Sequence, residues 1–243
     1  MATAPIYLCV RRTPDWENAR IVEAHVRPDF RPKMHTWNAT FDMPYHEFRH
    51  RLKQIAQANL ERVAGAVRAP LDEVPAGAIV VPVDDDDWLS PELANRLRGV
   101  YDSPLAGYLW ARHVVEPRVP LRRRAWFWLW SFKRSTCATN DYAVPRRPDI
   151  EPLVMNHLRA GRYFDENRAR IRRIPELLSV QNRNLASQTA MAWRRPGITR
   201  EELAANFARY RTLYASLELP RGLEWARPCV DQMAGLMRQI AVR

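Results

Sequence analysis

Cysteine is scarce in this chain: Cys9, Cys137 and Cys229 are the only three in 243 residues. Odd in number and far apart, they supply neither a disulfide framework nor the paired spacing of a zinc site, and they fit a reducing compartment. Lysine is scarce too. Only Lys33, Lys53 and Lys133 occur among 38 basic residues, so arginine carries almost all of the positive charge. No run approaches the roughly 20 apolar residues of a spanning helix. The opening Met1-Ala2-Thr3-Ala4-Pro5 lacks the basic and then apolar regions of a secretory signal. These absences predict a cytoplasmic chain. There is no internal repeat, no low-complexity tract, no helix-turn-helix signature, no Cys/His finger and no RNA-recognition aromatic motif. Nucleic acid is therefore not the expected partner.

What is present is a folded protein's composition, with 47% apolar residues and nine tryptophans. The length suits one domain with a substantial core, taken as residues 1–243 with a helical extension over 196–243. The formal charge of +11 favours anionic partners: nucleotide diphosphates or the anionic headgroups of a membrane surface. A plainly solvated arginine-rich surface is the simpler account of the same number.

The pattern along the chain alternates strands with helices and ends helical, which predicts an α/β fold. Ile6-Tyr7-Leu8-Cys9-Val10 reads as a first strand, and residues 16–45, interrupted by Pro28, Pro32 and Pro44, read mainly as loop. A helix is expected over 44–67, opened by a proline that is tolerated in the first turn. Strands follow over 79–83, 106–115 and 121–132. Ser90 is placed to cap a helix after the second strand. Thr199-Arg200-Glu201-Glu202 is a capping box, opening a helix with Leu203, Phe207, Tyr210 and Tyr214 on one stripe.

The densest chemical signal is at the end of the run Ala78-Ile79-Val80-Val81-Pro82-Val83, where Asp84, Asp85, Asp86 and Asp87 follow in a row. Each buried Ile or Val stabilises by about 1.5–3 kcal/mol, which draws the strand inside and leaves the acids at its carboxyl end. Carboxylates about 4 Å apart repel by about 1 kcal/mol in water and about 4 at an effective dielectric near 20. Such a cluster either splays into solvent as a turn or gathers a hard divalent cation, Mn²⁺ or Mg²⁺.

The stretch Val83-Asp84-Asp85-Asp86-Asp87-Trp88-Leu89-Ser90-Pro91 resembles the strand-end motif of GT-A fold glycosyltransferases. Cys137-Ala138-Thr139-Asn140-Asp141-Tyr142-Ala143-Val144 is similar to the acceptor-side stretch of bacterial members of the rhamnosyl transferase type. The resemblance spans residues 79–189 and implies a Rossmann-like mixed sheet flanked by helices, with a C-terminal helical tail. It implies metal-dependent transfer of a sugar from a nucleoside-diphosphate donor to an acceptor hydroxyl, with inversion weakly favoured. Asp84 and Asp86 would be the Asp-x-Asp pair, serving donor and metal, with Asp85 and Asp87 in supporting places. Arg11 and Arg12, at the first strand's carboxyl end, would reach the diphosphate. Asp141 would take the acceptor's proton, with Asn140 beside it. Gln181 and Asn184 fall where relatives place a polar residue near the metal. This chain has no histidine there. Rival readings are another Asp-rich metal-dependent phosphotransfer or nucleotidyl-transfer enzyme, and a non-catalytic basic module for nucleic acid or membrane.

Two further motifs are weighed against their simplest explanations. His46-Glu47-Phe48-Arg49-His50 matches a zinc-hydrolase helix signature. At roughly 100° per residue, however, Tyr45, Phe48, Leu52 and Ile55 share one side and the histidines take the other, without a third ligand. Surface histidines are expected. In the arginine-flanked stretch over 122–134, Trp126, Trp128 and Trp130 would share one face of a strand. That face is sheet core, a sugar-stacking wall with Trp128 toward the acceptor, or an interfacial patch for anionic lipid.

Overall fold

The computed structural model describes residues 4–11, 18–26, 28, 30–98, 105–115, 141–185 and 197–243. Arg12, Trp128 and Asn140, and the whole tryptophan stretch, lie outside the described residues. The described chain is α/β. Its strands are β1 (Ile6–Arg11), β2 (Ala66–Arg68), β3 (Ile79–Asp84), β4 (Trp88–Leu89), β5 (Gly107–Val115), β6 (Tyr142–Pro145) and β7 (Ile171–Asn182). They form one mixed sheet in the order β2-β1-β3-β6-β5-β7-β4.

The register explains why chemistry collects at one edge of this sheet. β1 runs parallel to both β2 and β3, while β6 is antiparallel to β3 and to β5. β5 is parallel to β7, and the short β4 returns antiparallel along it. β1, β2, β3, β5 and β7 therefore end on the same side. From β1 the chain goes to β2 on one flank and then to β3 on the other, so the sheet's order reverses beside β1. Crevices at such reversals, outside the strands' carboxyl ends, are where open α/β sheets bind ligands.

Helices cover both faces, which is what a largely parallel sheet requires. The helices are α1 (Ala19–His25), α2 (Arg31–Thr40), α3 (Tyr45–Leu60), α4 (Leu93–Arg98), α5 (Glu151–Met155), α6 (His157–Glu166), α7 (Arg200–Ala215) and α8 (Arg227–Gln239). Ile6, Leu8, Ile79 and Val81 pack toward α4 and the end of α3. Cys9, Val80 and Val144 pack toward α5 and α6. Gly107 permits that second contact: a Cβ there would lie 2.8 Å from the Ala143 carbonyl oxygen and 2.9 Å from the Phe164 ring.

A third cluster joins α2, α3, α7 and α8 to Trp88, Val115 and Val180. Trp37 is its centre, stacked on Phe48 at 4.8 Å and edge-on to Phe207 at 6.2 Å. The C-terminal helices are thus core elements rather than an appendage. Their last residues are tied down as well: Ala241 N–H donates to Asp42 Oδ1 at 2.8 Å, and Arg243 N–H donates to the Thr40 carbonyl at 2.8 Å.

Two expected elements need correction. The stretch read as loop contains α1 and α2, because Pro32 occupies the first turn of α2, where its missing N–H costs no helical bond. Helix α3 stops at Leu60 rather than near residue 67. Gly65 takes a left-handed φ of 74°, and the chain turns there into β2 alongside β1. The capping box is present in both directions, with Glu202 N–H on Thr199 Oγ1 and Thr199 N–H on Glu202 Oε2, each at 3.2 Å. Leu203, Phe207, Tyr210 and Tyr214 form the buried stripe below it. No helix among the described residues is long and apolar enough to cross a membrane.

Candidate functional site

The four aspartates make a tight turn from β3 into β4, closed by Asp87 N–H donating to the Asp84 carbonyl at 3.2 Å. Aspartate suits a turn for local reasons, but this turn is mostly enclosed. Asp85 and Asp87 are 6% and 2% exposed, whereas the side chains of Asp84 and Asp86 keep 29% and 14%. The alternation sorts the four. Asp84 keeps the most exposure and Asp86 less, while Asp85 and Asp87 are buried.

Each of the two more exposed carboxylates has a cation beside it. Arg11 Nε donates to Asp84 Oδ1 at 2.8 Å, and its Nη1 reaches the Val154 carbonyl at 2.9 Å and the Tyr142 hydroxyl at 3.4 Å. Arg49 Nη1 donates to Asp86 Oδ2 at 2.7 Å, and its Nη2 to Asp85 Oδ1 at 3.3 Å. Asn184 Nδ2 donates to that same Asp86 Oδ2 at 3.2 Å. Asp87 Oδ1 accepts the Asn182 backbone N–H at 2.7 Å, and Tyr214 of α7 donates to the Asn182 side-chain carbonyl. The third core cluster therefore reaches the acid turn through one phenol.

Electrostatics follows from this enclosure. Burial raises Asp86 above its ordinary 3.8, Arg49 pulls it back, and Asp85 and Asp84 push it up again. Burial, then Asp86 and Asp84, push Asp87 well above the usual range, against the Asn182 N–H bond and Arg11. For Arg49, burial disfavours the charged form, but Asp86 and Asp85 outweigh it and hold the proton more tightly than usual. Burial holds Tyr214 well above its ordinary value, so it stays a neutral hydroxyl donor.

Asp141 directly precedes β6, whose antiparallel pairing with β3 sets it at the same end of the sheet. The charges of Asp141 and Asp84 both act to raise neighbouring Tyr142, which burial pushes to about 12. Asp141 is itself 4% exposed, and its carboxylate accepts from Arg112 Nη1 at 3.2 Å. Gln181, one residue before the end of β7, is 8% exposed, and its Oε1 has no hydrogen-bond partner among the described residues. Of the expected site residues, Asp84, Asp86, Arg11 and Asn184 are brought together at one turn. Asp141 lies at the same end of the sheet with its carboxylate on Arg112, and Gln181 makes no bond to the acids among the described residues.

A crevice of about 140 Å³ opens beside the turn, lined by Val10, Lys53, Gln57, Leu60, Arg68 and Asp85. It sits at the carboxyl ends of β1 and β2 and supplies two cationic side chains and an amide. A larger, mainly apolar cavity of about 780 Å³ lies against β7, near His113, Leu177, Leu219 and Trp225, and none of the aspartates lines it. Size favours the larger cavity. Charge, the amide and the sheet reversal favour the smaller one as the place for a charged ligand.

The chain matches no protein-family model and no curated protein. Assignment of the site therefore rests on its chemistry. Hard divalent cations take carboxylate oxygens, and Mg²⁺-type sites use one or two of them together with phosphates and water. Asp84 and Asp86 fit that donor set in kind. No group of three or more acidic, histidine or cysteine side chains able to hold a metal occurs among the described residues, so phosphate and water would complete the shell. His46 and His50 are partly exposed on α3, while Tyr45, Phe48, Leu52 and Ile55 are buried, as the periodicity predicts.

Arg49 was missed by sequence reasoning, although a signal existed. It sits one turn after Tyr45, in the middle of the apolar face of α3, where a charged residue needs a buried partner. Asn59 gives the same signal. Its amide donates to the Leu89 carbonyl at 3.0 Å, and its Oδ1 accepts the Leu89 N–H at 2.7 Å, closing the free edge of β4. Arg49 thus bonds the acid turn, and Asn59 bonds the strand that follows it.

Proposed function

We propose that this chain is a metal-dependent glycosyltransferase of the GT-A type, moving a sugar from a nucleoside-diphosphate donor to an acceptor hydroxyl. One observation carries the reading. Two partly exposed carboxylates, Asp84 and Asp86, alternate with two buried ones at the carboxyl end of β3, and Asp85 between them lines the crevice where the sheet's order reverses.

In this reading Asp84 and Asp86 hold Mn²⁺ or Mg²⁺. The cation supplies charge stabilisation for the diphosphate as the sugar departs. Asp85 and Asp87 fix the turn, Asp87 through the Asn182 N–H. The crevice of Lys53, Gln57 and Arg68 receives the charged diphosphate end of the donor, and Asn184 orients Asp86. Asp141 accepts the acceptor's proton, a role that needs its carboxylate to turn from Arg112 toward the acceptor. Arg11 keeps Asp84 in place from its bonds to Val154 and Tyr142, and Arg12, Asn140 and Trp128 are assigned to donor and acceptor on the resemblance alone.

The pairing of both of these carboxylates with guanidiniums supports a second reading, in which the turn is a structural ion-pair network in a basic binding module. Calorimetry with UDP, GDP, dTDP and CMP, with and without Mn²⁺, separates the two. The transferase reading expects Mn²⁺-dependent binding of one nucleotide, weakened about 100-fold in Asp86→Ala with the fold retained. A folded wild type that binds none of the four overturns it.

A further inference from the structure

The apolar cavity of about 780 Å³ against β7 has no part in the acid turn, and its volume falls within the roughly 300–1,000 Å³ of small-molecule sites. Leu177 and Leu178 of β7 form one wall, and Leu219 and Trp225, from the segment joining α7 to α8, form another. Leu177, Leu219 and Trp225 are only partly buried against the core around Trp37, so three large apolar side chains leave surface open to one hollow. Apolar surface gathered in this way marks a binding site, whereas scattered surface residues do not. The walls are fixed. Trp225 Nε1 donates to the Leu177 carbonyl at 3.3 Å, tying the segment to the strand, and Ser90 N–H donates to the Leu178 carbonyl at 2.9 Å. Gly222 takes a left-handed φ of 90° with its N–H on the Glu224 carboxylate at 2.9 Å, and Arg227 Nη1 donates to the Leu217 carbonyl at 3.1 Å.

The charged residues of the lining decide what kind of ligand fits. Arg96 pairs with Glu176 at 3.7 Å, and the charge of Arg221 acts on Glu224, which does not line the cavity. Glu92 and Glu218 line it as well. Glu92 accepts from Asn95 Nδ2 at 3.0 Å, and neither glutamate forms an ion pair among the described residues. With 38 basic residues against 27 acidic ones in the chain, two carboxylates without a cation at one apolar hollow run against the overall balance.

We propose that this cavity binds a small apolar amine, with its ring or hydrocarbon body against Leu177, Leu178 and Leu219 and its ammonium toward Glu92, Glu218 and the Trp225 ring. An indole face attracts a cation through its quadrupole, and the carboxylates attract it by charge. The same two carboxylates disfavour an anionic ligand. The cavity and the crevice of Lys53 and Arg68 therefore select ligands of opposite sign. Neither a metal nor a nucleotide is needed for this binding.

The test is calorimetric titration, in buffer free of metal and nucleotide, with three probes that share one ring system and differ in charge: 2-naphthylmethylamine, 2-naphthalenemethanol and 2-naphthylacetate. The expected result is one-to-one binding of the amine, about tenfold tighter than the alcohol, with the acid weakest. The net charge of +11 would by itself favour the acid, so a preference for the amine has to come from the local carboxylates. Glu92→Gln/Glu218→Gln should bring the amine to the alcohol's affinity and leave the alcohol unchanged. Leu219→Trp, which fills the hollow, should weaken amine and alcohol alike by at least about tenfold. Absence of saturable amine binding overturns the proposal. So does an acid or an alcohol that binds as tightly as the amine, or amine binding that Leu219→Trp leaves unchanged. Should Leu219→Trp fail to fold, the double glutamine variant decides, and an amine preference that survives it overturns the proposal.

Discussion

The aromatic layer around Trp37 and the acid turn after β3 are both buried, yet they are held by opposite means. Around Trp37 the neighbours are Phe41, Tyr45, Phe48 and Phe207, and cohesion comes from area removed from water and from ring contacts such as Phe41 on Phe207 at 4.7 Å. At the acid turn, charges are kept inside only by specific partners: Arg11 on Asp84, Arg49 on Asp85 and Asp86, and a backbone N–H on Asp87. Non-directional cohesion tolerates small shifts. A buried charge tolerates none, because each lost partner leaves a desolvation cost behind. The first region is built to be stable and the second to be exact in charge, and single substitutions separate them.

Phe207→Ala breaks the apolar side of the comparison and carries the largest expected effect. It removes a ring that is 1% exposed and touches Trp37 and Phe41, at a cost of about 3–5 kcal/mol. Urea unfolding should show the loss, and nucleotide affinity, measured where the variant is still folded, should not change. Asp141→Asn breaks the polar side. It keeps the side chain's shape beside Arg112 and removes the proposed proton acceptor, so in the transferase reading turnover should fall at least about 100-fold, or roughly 3 kcal/mol on the barrier. Donor binding should persist in calorimetry. Loss of donor binding in parallel with turnover would reassign Asp141 to structure.

Tyr214→Phe sits on the boundary, because Tyr214 belongs to the apolar stripe of α7 while its hydroxyl serves Asn182. Removing the oxygen keeps the ring's packing and leaves the buried Asn182 carbonyl without that donor, at a cost of about 1–3 kcal/mol. If the C-terminal helices help fix the turn, the variant should also weaken Mn²⁺-dependent nucleotide binding. Phe207→Ala, farther along the same helix, should not. Equal effects of the two variants on affinity would mean that α7 acts on the site through bulk stability alone.

The same division decides how much was legible before the fold was known. The stripe of α7 could be read because its four positions repeat within a few residues and its cap is a local four-residue pattern. The β3 run and its acids were legible for the same reason. Arg49 was not, since it lies 37 residues from Asp86, and Asn184, 98 residues from Asp86, was expected near the acids only through the resemblance. Nothing in a linear pattern pairs such positions, although Arg49 in the middle of an apolar helix face announces that some partner exists. Helix α2 defies the breaker reading of the prolines in this stretch, because its one proline, Pro32, stands in the first turn, where proline fits.

Asp87→Asn gives the smallest effect and the sharpest view of the polar region. Burial and the neighbouring carboxylates raise Asp87 well above 3.8, so the folded protein binds that proton more tightly than the unfolded chain does. The sign follows from linkage. A raised carboxyl contributes a destabilisation that grows as pH climbs from the ordinary value near 3.8 to the folded-state value, and stays constant above it. Asparagine carries no titrating proton, and its carbonyl oxygen can still accept the Asn182 N–H that Asp87 accepts at 2.7 Å. In metal-free buffer Asp87→Asn should therefore match wild type in melting temperature below about pH 4, and exceed it modestly near neutral pH. The gap should widen only across the window between. A variant that is less stable at neutral pH would mean that the Asp87 charge is wanted in the folded state. That outcome would place Asp87 with Asp84 and Asp86 among the groups that answer a cation, rather than beneath them as support.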